Sequence, residues 1–119
     1  MTAENIIKSA DKIRPNLINE ATKLDWLYTI ENKVAEHMTR YSQSEADTNE
    51  LVLQSQMLLP LEYKDIYTYY IVCMIDLTNQ DIAMYNNSCA YFNEMFTSWQ
   101  KKWRREHLPQ KTPAKSGDN

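Results

Sequence analysis

A single glycine, Gly117, in 119 residues is the feature that most restricts what this chain can fold into. Hairpin turns, phosphate-cradling loops and dinucleotide folds need backbone at positive φ, which glycine adopts without steric penalty. With the only glycine near the C-terminus, those architectures are disfavoured, and the chain reads as helices joined by polar turns. Its length fits one domain. With 43% hydrophobic and 24% charged residues, it has enough apolar material for a packed interior and enough charge for a water-facing surface.

Hydrophobic spacing supplies the helices. Thr2 is placed to cap a first helix ending near Ile13, with Ile6, Ile7, Ala10 and Ile13 on its apolar side and Pro15 enforcing the stop. Asn19 is the expected cap of a second helix to about Tyr41. There Leu24, Leu27, Ile30, Val34, Met38 and Tyr41 recur every three or four residues, and Glu31, Lys33, Glu36 and Arg40 are read as its solvated face. A polar loop is expected from Ser42 to Glu50. Beyond it, Leu51-Val52-Leu53 and Met57-Leu58-Leu59, ended by Pro60, are candidates for a short two-stranded β element.

A third helix is expected from about Glu62 to Thr78. Ile66, Tyr70, Cys73 and Leu77 lie on one face, flanked by Tyr67, Ile71, Met74 and Ile75, which makes this helix central. The last helix carries Tyr85, Cys89, Phe92, Phe96, Trp99 and Trp103 at steps of 4, 3, 4, 3 and 4, the spacing of a seam that docks lengthwise on other helices. No glycine or proline separates Pro60 from Pro109. One continuous rod would reach roughly 70 Å, so a break is preferred at Asn79-Gln80-Asp81, with Asp81 as the next cap. The expectation is an all-α bundle of about four helices over residues 1–108 and a disordered tail, 109–119, rich in proline, lysine and small residues.

Catalytic and metal chemistry find little support. Cys73 and Cys89 fall among apolar residues in helices and read as core, whereas His37 and His107 read as surface residues, without a signature linking nucleophile to base. Two cysteines and two histidines scattered singly lack the paired spacing of zinc sites, and phosphate-loop motifs are absent. Asp76 reads as a surface or interface group. No enzyme activity, cofactor or metal is therefore expected. The N-terminus lacks the basic-then-apolar order of a secretory signal and no long apolar run occurs, which points to a reducing cytoplasm or a particle assembled there.

Charge and aromatic content suggest contact surfaces. Residues 1–99 carry 7 Lys/Arg against 14 Asp/Glu, a net of -7, and residues 100–119 carry 6 against 2, a net of +4. Lys101, Lys102, Arg104 and Arg105 surround Trp103, a combination suited to phosphate and base contacts, although cations in a helix's last turns are also favoured by its dipole. Eight tyrosines are an excess. Tyr67, Tyr69 and Tyr70 point in different directions around one helix, so at least one should reach a surface.

A set of short motifs completes the sequence. It comprises Lys12-Ile13-Arg14-Pro15-Asn16, Thr22-Lys23-Leu24 with Trp26-Leu27, and Leu58-Leu59-Pro60 leading to Tyr63, Tyr67, Tyr69 and Tyr70. Met74-Ile75-Asp76-Leu77 with Asn79, Tyr85-Asn86-Asn87-Ser88, Phe92-Asn93, Trp99 and Arg105-Glu106-His107-Leu108-Pro109 follow. In these the chain resembles the head-tail connector, or adaptor, proteins of tailed bacteriophages and prophages, which are encoded beside portal and capsid genes. Similar sequences often carry glycine where Gln80 stands.

The resemblance implies a structural virion protein, made in the bacterial host cytoplasm, that forms a ring homo-oligomer below the portal and joins the DNA-filled head to the tail. Its partners would be further copies of itself, the portal protein and a tail-side completion protein. DNA would pass through the channel without sequence-specific binding, and no membrane would be involved. Tyr63, Tyr69, Asn86, Asn87, Lys101, Lys102, Arg104 and Arg105 are the candidate interaction residues. Two alternatives stay open: a helical nucleic-acid-binding protein using the basic end of the last helix, and a small phage regulatory protein that binds a host partner.

Overall fold

The structure, a computed structural model, describes residues 1–42 and 50–108. It contains α1 (Ala3–Ile13), α2 (Glu20–Ser42), α3 (Lys64–Thr78), preceded by a 3-10 turn at Leu61–Tyr63, and α4 (Ile82–Glu106). The chain is therefore all-α, as its spacing predicts. Ser42 still belongs to α2; the remainder of the expected polar loop up to Asn49, and the expected disordered tail from Pro109 on, lie outside the described residues, as does the side chain of Tyr41.

The N-terminus of α1 leaves no backbone donor unpaired. Thr2 Oγ1 accepts from the Asn5 amide at 3.2 Å while Asn5 Oδ1 accepts from the Thr2 amide at 3.1 Å, a reciprocal capping box. The next two free donors, Ala3 N–H and Glu4 N–H, reach the carbonyls of Ser55 and Leu53, both at 3.0 Å. This is where the 51–59 segment goes. Instead of two strands pairing with each other, Val52 to Ser55 form a turn, and Gln56 makes a single antiparallel bridge with Thr2. Two orphan donors at the helix end, together with the Met1 carbonyl that accepts from the Met57 amide, give the segment backbone partners that a lone marginal hairpin would lack.

Asn19 Oδ1 caps α2 through the Thr22 amide at 2.8 Å. α3 packs against α1, α2 and α4, and its contact with α4 is the most extensive in the molecule. Ile66, Tyr67, Ile71, Val72 and Ile75 of α3 are fully buried against Ile6 of α1 and Leu27, Ile30 and Val34 of α2. At about 1.5–3 kcal/mol for each fully buried large apolar side chain, this cluster supplies the bulk of the driving force. Ile13 and Leu77, expected on buried faces, are exposed because both stand at helix ends beyond the reach of a neighbouring helix.

The expected break separates α3 from α4. Asn79 ends α3, and Gln80 takes φ 58°. The Gln80 amide bonds to the Leu77 carbonyl and the Asp81 amide to the Asp76 carbonyl, both at 3.0 Å, which completes a Schellman stop. Asp81 Oδ1 then caps α4 through the Met84 amide at 3.1 Å. A left-handed residue with a Cβ is strained by roughly 1–2 kcal/mol, and most proteins place glycine at this position. Gln80→Gly should raise unfolding stability by about 0.5 kcal/mol, the relieved strain being partly offset by the freer unfolded chain. Gln80→Val should lower it by about 1 kcal/mol or more. Denaturant midpoints that fail to rank Gly, Gln and Val in that order would contradict the assignment.

Candidate interaction surface and the buried polar ties

The expected interaction residues occupy four places. Asn86 and Asn87 are exposed on the first turns of α4, and Lys101, Arg104 and Arg105 are exposed near its end. Tyr69 is half-buried in the seam between α3 and α4, its ring edge-on to Tyr91 at 4.6 Å. Tyr63 and Lys102 come together across a groove between the start of α3 and the last half of α4. Tyr67 is completely buried, leaving Tyr69 and Tyr70 as the partly exposed members of the tyrosine cluster.

The groove has two connected parts. The wider one, about 450 Å³, is lined by Glu62, Tyr63, Asp65, Ile66, Glu94, Met95, Ser98, Trp99 and Lys102. The narrower one, about 220 Å³, continues toward the C-terminal end of α4 past Pro60, Trp103 and Glu106. Its floor is apolar and aromatic; its rim carries Glu62, Asp65, Glu94 and Glu106 against the single ammonium of Lys102. A hydrogen bond to Tyr63, and then the Glu106 carboxylate, hold the Lys102 ammonium above its usual range. The α4 seam behind it is a ladder of rings: Phe92 on Phe96 at 5.4 Å, Phe96 on Trp99 at 5.8 Å, Trp99 against Trp103 at 6.0 Å, and His107 stacked on Trp103 at 3.7 Å.

Four polar residues that the sequence suggested were exposed, or that it left unremarked, are buried. Asp76, expected at a surface, is 1% exposed. Arg14 grips it with Nε at 2.7 Å and Nη2 at 3.3 Å, and the Ser88 hydroxyl donates to Oδ2 at 2.8 Å. One carboxylate thus ties the end of α1 to α3 and α4. Glu31, expected on the solvated face of α2, accepts from the Leu58 amide at 2.7 Å and the Tyr67 hydroxyl at 2.5 Å, while that hydroxyl accepts from the Leu59 amide at 3.1 Å. Burial pushes the Glu31 carboxyl above its usual range, against the opposing pull of those two hydrogen bonds. Lys23 pairs with Asp11 at 2.8 Å, and Asn16 bonds Asp11 at 2.9 Å, closing the turn between α1 and α2.

His37, expected at the surface, is 7% exposed; its Nε2 lies 2.9 Å from the Gln100 carbonyl and its ring packs on Trp99 at 5.2 Å. Cys73 is buried as expected, and Cys89 is half-buried. Burial, then the neighbouring Cys89 and Asp76, push the Cys73 thiol up to about 12, so it is protonated near neutral pH and is no thiolate nucleophile. Among the described residues no three His, Cys, Asp or Glu side chains are grouped to hold a metal ion, and no helix is long and apolar enough to cross a membrane.

Comparison with family models, with curated proteins and with solved structures gives no match to this chain.

Removing one partner of a largely buried pair leaves a charge uncompensated, so Asp76→Asn should lower unfolding stability by about 3 kcal/mol, moderated because Arg14 keeps some access to water. Breaking the exposed Lys8–Glu4 pair with Lys8→Ala should change it by less than about 0.5 kcal/mol. Equal effects in urea titration would refute the distinction. Glu31 gives a pH signature. Its raised carboxyl contributes stability that is fully present below about pH 4.5, its ordinary value, and is lost as pH rises through the folded value. Gln in its place has no titration and cannot accept from both donors. The stability gap between wild type and Glu31→Gln should therefore be widest below that pH and narrow above it; a gap independent of pH would contradict the assignment.

Proposed function

We propose that this chain is a structural assembly protein of the head-tail connector type, a helical ring subunit that works by shape and contact and needs no cofactor. The observation that carries this reading is the combination of a tied helical body with large apolar side chains left outside it. Leu61, Ile82 and Leu108 are 68%, 60% and 55% exposed, and Tyr91 is 45% exposed beside Tyr69. A ring subunit needs a body that keeps its shape and edges with apolar area to bury against the next copy. The motif resemblance supplies the specific partners: the portal above and a tail-completion protein below. An acidic body fits a channel wall to which DNA does not adhere.

A second reading rests on Lys101, Arg104 and Arg105, all exposed within one turn and a half of α4. Such a cluster supports sequence-independent contact with phosphates. It predicts DNA affinity that falls steeply with salt and is lost on replacing these three cations by Gln.

Electron microscopy of the protein mixed with the portal encoded beside it separates the two. The connector reading expects a ring of added density on the portal. Ile82→Glu should prevent it while changing the monomer's stability by no more than about 0.5 kcal/mol, since the side chain makes little core contact. A bare portal together with a shifted DNA fragment at low salt would favour the second reading.

A further inference from the structure

We propose that the groove between the start of α3 and the last half of α4 is the docking site for a basic segment of a partner protein, an extended stretch with two arginines about five residues apart and a large apolar side chain between them. The inference is independent of the connector reading, since neither Ile82 nor Tyr91 lines the groove.

Charge selects the class of occupant. Glu62, Asp65, Glu94 and Glu106 are exposed on the rim, and among the described residues none of the four has an ion pair. Lys102 is the one cation in the lining, and its ammonium is drawn to Tyr63 and Glu106. Four carboxylates against one ammonium leave the rim acidic, so it repels DNA and other polyanions. A second copy of the chain, with a formal net charge of -3, matches it less well than a basic chain does. Arginine suits the walls better than lysine. Tyr63 and Trp103 border the groove, and a guanidinium both stacks on aromatic faces and pairs with a carboxylate through two parallel hydrogen bonds.

The dimensions set the spacing. The wide part, about 450 Å³ over Ile66, Met95 and Trp99, falls within the size range of pockets that bury ligand groups, and it takes the apolar side chain. Glu94 and Glu106 stand twelve residues apart on α4, about 18 Å of helix. An extended chain advances about 3.3–3.6 Å per residue and covers that distance in about five residues. One arginine then meets Glu94 and Asp65 across the wide part, and the other meets Glu106 and Glu62 beside the narrow part. Trp103 adds an independent sign of a missing partner: its indole N–H is buried and, among the described residues, has no hydrogen-bond acceptor, which a backbone carbonyl of the docked segment would supply.

The test is amide and indole NMR of the full chain titrated with the acetylated, amidated peptide Ser-Arg-Ser-Ser-Leu-Ser-Arg-Ser. Saturating shifts are expected at Asp65, Glu94, Glu106 and the Trp103 indole, with an affinity on the order of millimolar that weakens as salt is raised. Asp65→Asn/Glu94→Gln/Glu106→Gln changes only exposed side chains and should weaken binding about tenfold. A peptide of the same composition with its arginines adjacent should bind several-fold more weakly. Shifts that never saturate, or equal affinity for the adjacent-arginine peptide or for the triple variant, would overturn the proposal. The same groove resonances moving on raising the protein concentration without peptide would overturn it too, since they would assign the groove to a second copy.

Discussion

The carboxylate of Asp76 is the constraint on which the arrangement of the helices depends. Burying a charge is unfavourable by several kcal/mol even after relaxation, and a guanidinium partner only offsets this when its geometry is good. Arg14 and Ser88 provide that geometry from two other elements. The tie therefore adds little net stability; it selects one arrangement, because any other packing of α1 or α4 would strand a charge. The same residue's carbonyl accepts the Asp81 amide that closes α3. Side chain and backbone of one residue thus fix where α3 stops, where α1 ends and how α4 departs.

Glu31 does the corresponding work where α2 meets the segment before α3. That segment, residues 51–59, has no secondary structure of its own beyond a turn and a bridge, yet Met57 and Leu59 are core residues. Its amides must find acceptors once it is buried. The carboxylate of Glu31 takes the Leu58 amide, the Tyr67 hydroxyl takes the Leu59 amide, and the carbonyls of Ser55 and Leu53 take donors from α1. Apolar burial drives the segment inward, and a buried acid and a buried phenol make that burial affordable for its backbone.

Helix number, both N-caps at Thr2 and Asn19, the stop at Asn79 to Asp81 and the aromatic ladder of α4 were all legible in the sequence, because each rests on local spacing or local capping. The buried ties were not, although a signal for them existed. Lys23 and Glu31 stand four residues before and after Leu27, His37 follows Val34 by three, and Asp76 follows Cys73 by three. Each occupies a core-facing position of its helix, and residue type was allowed to outweigh position. A polar residue at a core-facing step is a request for a specific partner, but the partner, as with Arg14 for Asp76, lies 62 residues away and cannot be read from spacing. The groove was illegible for the same reason: Glu62, Glu94 and Glu106 each look like ordinary solvated positions, and only tertiary packing sets them around one apolar floor.

That floor also explains why the surface is uneven. The Asp76 and Asp11 ties lie at the α1 end and the α3–α4 turn, while the Glu31–Tyr67 and His37 ties reach Leu59 and Trp99 at the edge of the groove. The groove lies between the start of α3 and the last half of α4, around Trp99 and Met95, and Met38 of α2 borders its narrow part. Four carboxylates on the rim repel one another if the walls approach, and the ring ladder behind them resists collapse because stacked indoles and phenyl rings cannot thin. The result is a groove that sets an acidic rim around an apolar, aromatic floor.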